Sequence, residues 1–123
     1  MPRVIGLVAN CRKPGAAEMV PRVVEALRTG GVELLLDADT AQLLGEGTGC
    51  ETETLGGRCE LVLILGGDGT LLEAARQIRD PSTALLGINF GSLGFLTSAG
   101  ATVWREAVDC VLTGSYRVEE RAL

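Results

Sequence analysis

The 123-residue sequence predicts an α/β domain of three layers, with a doubly wound, mainly parallel sheet and helices on both faces. Three observations carry that prediction. Short runs that are apolar on both faces alternate with stretches whose apolar residues recur at helical spacing. Glycine, at 17 residues, is about twice as frequent as usual and gathers at the ends of those runs without a periodic array. The length suits one domain with a real core and leaves no room for a second, so residues 1–123 read as a single unit.

The elements follow in order. Val4–Ala9 (VIGLVA) is a buried strand, and Asn10–Gly15 a loop. Met19, Val20, Val23, Val24 and Leu27 then form one stripe of a helix that Gly30-Gly31 stops. Pro21 is tolerated in a first turn only, which predicts a helix starting later than the stripe suggests. Val32–Leu36 is the second strand and Thr40–Leu44 a short helix. Gly45–Cys59 holds five glycines and few apolar residues, and reads as a mobile loop. Leu61–Leu65 is the third strand. Leu71, Leu72, Ala75 and Ile78 give the next helix its buried face, and Asp80-Pro81-Ser82 ends it. Ala84–Ile88 is the fourth strand, followed by a second glycine-punctuated loop, Asn89–Gly100. Thr102 caps a helix carrying Val103, Trp104, Ala107, Val108, Val111 and Leu112 to Gly114, with Trp104 in the core. Tyr116–Leu123 is a candidate further strand.

Composition excludes several function classes. A net charge of −5 argues against a nucleic-acid surface, which needs a basic face. The longest apolar runs, such as Leu61–Leu65, are too short to span a bilayer, so no membrane partner is expected. The N-terminus reads as a strand and lacks the long apolar region of a signal peptide. Cys11, Cys50, Cys59 and Cys110 form no C-x-x-C pair, which favours free thiols in a reducing cytoplasm over a disulfide framework or a zinc site. Histidine is absent, which removes Ser-His and Cys-His nucleophile pairs. Any general base must be a carboxylate, the single lysine (Lys13), a tyrosine or a terminus.

In doubly wound folds ligands collect at the carboxyl ends of the strands, where Gly66–Thr70 and Asn89–Gly94 both fall. Gly66, Gly67 and Gly69, with the start of the next helix, can cradle phosphate through backbone N–H groups. The turn is not a Walker A loop, since no G-K-[ST] follows, nor a dinucleotide fingerprint, since Leu72 stands where the third glycine belongs. Asp68 is the odd residue. A bare carboxylate about 4 Å from phosphate near a surface costs roughly 4 kcal/mol. Either a divalent cation lies between them, or Asp68 accepts the proton of a hydroxyl attacking phosphorus. The plainer alternative is that Asp68 only caps the following helix.

LILGGDGTLLEAAR followed by LLGINFGSLGFLT resembles the NAD kinase family, over essentially the whole chain. The first motif is shared with diacylglycerol and sphingosine kinases and with phosphofructokinases; the second is more particular. Lipid kinases carry an L-P-x-G-T-x-N-D-x-A stretch there, absent here. The resemblance implies the N-terminal nucleotide-binding domain of a kinase that transfers the γ-phosphate of ATP, or in some members polyphosphate, to the 2′-hydroxyl of the NAD adenosine ribose. It also implies Mg²⁺ or another divalent cation, a cytoplasmic location and a homo-oligomeric full-length protein. On that analogy Asp68 is the general base, Gly69 lies against the dinucleotide, and Gly66, Gly67 and Thr70 shape the phosphate side. Phe95 and Leu96 would line the pocket near the adenine, with Asn89 a polar neighbour.

The chain departs from relatives at three points. Glu73 stands where many bacterial members have a basic residue, and Phe90 where a polar or basic one is common. The N-E motif and T-G-S-T-A-Y segment of the family's second, β-rich domain do not occur, so residues 116–123 read as the start of a connection to that domain. A lipid or sugar kinase sharing the glycine turn, and a non-catalytic nucleotide-binding module, are the alternative functions.

Overall fold

The structure is a computed structural model and describes residues 3–13, 15–89 and 98–114. The elements are β1 Val4–Ala9, α1 Ala16–Thr29, β2 Glu33–Leu36, α2 Ala38–Leu43, a 3-10 helix Thr52–Leu55, β3 Leu61–Gly66, α3 Asp68–Gln77, β4 Ala84–Asn89 and α4 Ser98–Thr113. All strand pairings are parallel, in the order β2-β1-β3-β4. The predicted doubly wound α/β architecture is therefore the observed one.

The two-faced apolarity of the strands has a direct cause. Ile5 and Leu7 of β1, with Leu61, Leu63 and Leu65 of β3, pack under α1 and α4 against Val20, Val23, Leu27, Trp104, Val108 and Val111. The alternate residues Val8, Val62 and Ile64 face the other way, under Ala74 of α3, Ile78 just after it and Leu55 of the 3-10 helix. Successive strand residues point to opposite faces, so only a strand covered on both sides needs an uninterrupted apolar run. Trp104 is buried in the first of these clusters, as its place in the stripe predicts.

Several local expectations are corrected. Pro21 lies inside α1, which begins at Ala16 after a left-handed Gly15 (φ 91°) and not closer to the proline. The proline withholds the N–H that Ala17 would accept, but both residues are exposed, so water can satisfy that carbonyl. In α3 the covered positions are Leu71, Ala74, Ala75 and Ile78, while Leu72 is 50% exposed. That set is the i, i+3, i+4, i+7 stripe; Leu72 falls off it by one residue. Helix α4 starts at Ser98, so Thr102 sits in its second turn and is not its cap. Of the expected loop Asn89–Gly100, Asn89 ends β4 and residues 98–100 belong to α4; Phe90, Phe95 and Leu96, like the expected strand at 116–123, lie outside the described residues.

The segment 45–59 is more built than its composition suggests. Cys50 bridges to Asp37 in the parallel sense, and Leu55 and Cys59 are buried. Thr83 fastens its end: the hydroxyl accepts from Gly57 N (2.8 Å) and donates to the Cys59 carbonyl (2.9 Å). Truncating the fully buried Leu55 to alanine should cost about 2–5 kcal/mol in urea unfolding. A loss below about 0.5 kcal/mol, the usual surface value, would show that the segment contributes nothing to the core.

Candidate active site

The strand order determines where a ligand can enter. The chain leaves β1 toward β2 on one side, then returns to place β3 on the other, so the connectivity reverses between β1 and β3. Two loops meet there: residues 10–15 after β1 and the glycine turn after β3. The first is pinned to β3 by Asn10 N, which donates to the Leu65 carbonyl at 2.8 Å. Asn10 Oδ1 accepts from Arg12 N (3.2 Å), its carbonyl accepts from Lys13 N (3.2 Å), and Lys13's carbonyl accepts from Ala16 N (3.2 Å). These bonds turn the chain sharply and hold Lys13 toward the neighbouring loop.

In the glycine turn the N-cap position of α3 is Gly67 and Asp68 is the first helical residue, so the alternative in which Asp68 caps the helix does not describe the backbone. Leu71 N closes the first turn on the Gly67 carbonyl at 3.1 Å, leaving the amides of 68–70 without intrahelical partners. Gly67, Gly69 and Thr70 line a cleft of about 950 Å³ together with the β1 loop. Gly66 does not line it. Its role is contact: a Cβ there would stand 2.6 Å from Thr70 Oγ1 and 2.8 Å from Thr70 Cβ. Asn89 ends β4 in register with Gly66.

The remaining walls are polar. Asp37 and Asp39 enter from the end of β2, beyond β1 and about 10 Å, two strand spacings, from the β3 turn. Glu73 and Gln77 come from α3, and Gln77 Nε2 donates to Glu73 Oε1 at 2.9 Å. A carboxylate thus stands on this wall of the cleft. Asp37 caps α2 by accepting from Thr40 N (3.3 Å) and from the Thr40 hydroxyl, which in turn accepts from Ala9 N at 3.0 Å. This buried chain of bonds joins the ends of β1 and β2.

Burial pushes the Asp37 carboxyl above its usual range, against the opposing hydrogen bonds from Thr40. A raised native value means the folded state binds more protons than the unfolded state in the window above the ordinary carboxylate range. Stability then rises as pH falls through that window and is lost as pH rises. Asp37→Asn should remove this slope, so that acidification favours wild type relative to the variant in urea titrations at a series of pH values. A difference that stays constant, or runs the opposite way, would refute the assignment.

Sequence reasoning missed the β1 loop. It separates Lys13 from the glycine turn by more than fifty positions, yet Lys13 Nζ rests 3.0 Å from the point a Cβ on Gly67 would occupy. The available signal was the reversal of strand order, which marks the loop after β1 as half of the crevice.

Fold and cleft define a doubly wound α/β domain with a glycine-turn crevice at its switch point. The profile described as ATP-NAD kinase N-terminal domain matches residues 5–116, and the chain belongs to the NAD kinase family. It is 41% identical to the NAD kinase of Burkholderia thailandensis over 97% of its own length and 40% of that protein's. With the NAD kinase of Moorella thermoacetica it shares 42% identity over 97% of the chain and 38% of the relative, and with that of Natranaerobius thermophilus 37% over 98% and 43%. The chain therefore spans about two fifths of the length of these relatives.

Proposed function

We propose that this chain is the nucleotide-binding part of an NAD kinase, which transfers the γ-phosphate of ATP to the 2′-hydroxyl of the NAD adenosine ribose and forms NADP. The observation that carries this reading is the glycine turn at the switch point, with Asp68 opening α3 beside a cleft lined by Gly67, Gly69 and Thr70. In it Asp68 is the general base that takes the hydroxyl proton, and the unbonded amides of the first turn face developing phosphate charge. Gly69 gives close approach to the dinucleotide, Gly66 sets Thr70 in place, and Asn89, Phe95 and Leu96 belong to the NAD side.

Among the described residues no group of three or more Asp, Glu, Cys or His is disposed to hold a metal ion. A cation carried by the donor's phosphates needs no such cage, and Mg²⁺ favours that mode. When bound, it would neutralise charge on the transferred group. The site is completed by a second, β-rich domain in the full-length protein, a cytoplasmic homo-oligomer; no helix among the described residues is long and apolar enough to cross a membrane.

The test is NADP formation from NAD, ATP and Mg²⁺, measured on the 123-residue chain and on the same chain with its downstream extension. Turnover by the extended protein alone supports a composite site. Absence of turnover in both, with phosphorylation of diacylglycerol instead, would move the turn to a lipid kinase.

A further inference from the structure

We propose that Lys13 binds and positions the donor's terminal phosphate at the mouth of the glycine turn; this rests on the NAD kinase reading above. Lys13 is the only lysine in the sequence. Its Nζ and Cε lie 3.0 and 3.6 Å from where a Cβ on Gly67 would be, so a side chain at residue 67 would crowd the ammonium in this place. The same cleft is lined by Gly69 and Thr70 from the first turn of α3. A cation and the first-turn amides that lack intrahelical partners thus meet from two different strands, although the glycine turn itself lacks a lysine.

Among the described residues Lys13 forms no ion pair, so its charge is available to a ligand in the cleft. The hydrogen bonds of Asn10 hold its backbone against the end of β3. Of the charged residues lining the cleft, Arg12 and Lys13 stand at the β1 loop, Asp37 and Asp39 at the β2 end and Glu73 on α3. The anionic head of a donor is drawn to the two cations and repelled by the three carboxylates, which places it at Lys13.

In the transfer, the 2′-hydroxyl oxygen forms a bond to Pγ and the bond from Pγ to the bridging oxygen breaks. The diphosphate leaves with that electron pair, and Asp68 receives the hydroxyl proton. Lys13 neither gains nor loses a proton. It holds the phosphoryl oxygens in line and offsets the charge that Asp68 brings to the same turn.

The experiment compares full-length wild type with Lys13→Met, which keeps the apolar stem, and with Lys13→Arg, which keeps the charge. Initial rates of NADP formation are measured against ATP and NAD separately, and ATP binding is measured by calorimetry. Lys13→Met should lower kcat/KM for ATP and weaken ATP binding about ten- to a hundredfold, the worth of a charge-assisted hydrogen bond. KM for NAD and the thermal midpoint should stay at wild-type values, and Lys13→Arg should restore most of the loss. Equal ATP affinity in wild type and Lys13→Met overturns the proposal. Wild type that binds ATP in a Lys13-dependent way but makes no NADP overturns the assigned reaction while sustaining the role of Lys13.

Discussion

Asp68→Asn in the full-length protein should lower kcat for NADP formation about a hundred- to ten-thousandfold, the usual contribution of a positioned general base. The substitution keeps size and shape and removes the ability to accept a proton. Asp68 is the first residue of α3, where an acidic side chain is favoured by the helix dipole by about 0.3–1 kcal/mol. A loss of stability on that scale, next to a loss of catalysis several orders larger, separates the two roles. If kcat survives within about threefold, well short of general-base magnitudes, Asp68 is a helix-terminus carboxylate and the base lies elsewhere.

Gly69→Ala should make the domain more stable and the enzyme worse. Gly69 is the second residue of α3, and a Cβ there would meet nothing within 4 Å. Alanine in a helix is favoured over glycine by about 0.5–1 kcal/mol, so the thermal midpoint should rise. The open space it would fill belongs to the cleft. A methyl group against a ligand that needs close backbone approach costs about 1–3 kcal/mol, or roughly a five- to hundred-and-fiftyfold drop in kcat/KM. Gly66→Ala provides the contrast, because its methyl would collide with Thr70 at 2.6 Å and should destabilise the turn. Unchanged kinetics in Gly69→Ala would show that no ligand approaches that face.

Much of this was legible in the chain because the strands are covered on both faces. Runs such as LVLIL admit few other readings when glycine turns bound them and helical stripes separate them. The errors came where one residue decides. The phase of α3 depends on which residue starts it, and the glycine turn hid that start, so Leu72 was placed inside and Ala74 overlooked. Thr102 is a good cap in the wrong place because Ser98, four residues earlier, already begins the helix. The segment 45–59 was read from its glycines and charges, while one buried residue, Leu55, anchors it. Lys13 was invisible as a site residue for a different reason. Its proximity to Gly67 is a property of strand order, which no local pattern contains.

The central position of β1 has a consequence in time. Arg3 and Glu60, 57 residues apart in sequence, mark the starts of the two strands that must pair in the middle of the sheet. At about 5–20 residues per second, roughly 3–11 s of synthesis separate them. In the later part of that interval, once β2 has been made, β1 can find β2 but not β3, and one whole edge of an apolar strand has no neighbour. Vulnerability to misassociation during biosynthesis is thus governed by translation speed over this stretch, and a variant that leaves the finished sheet equally stable can still lower yield by lengthening the wait.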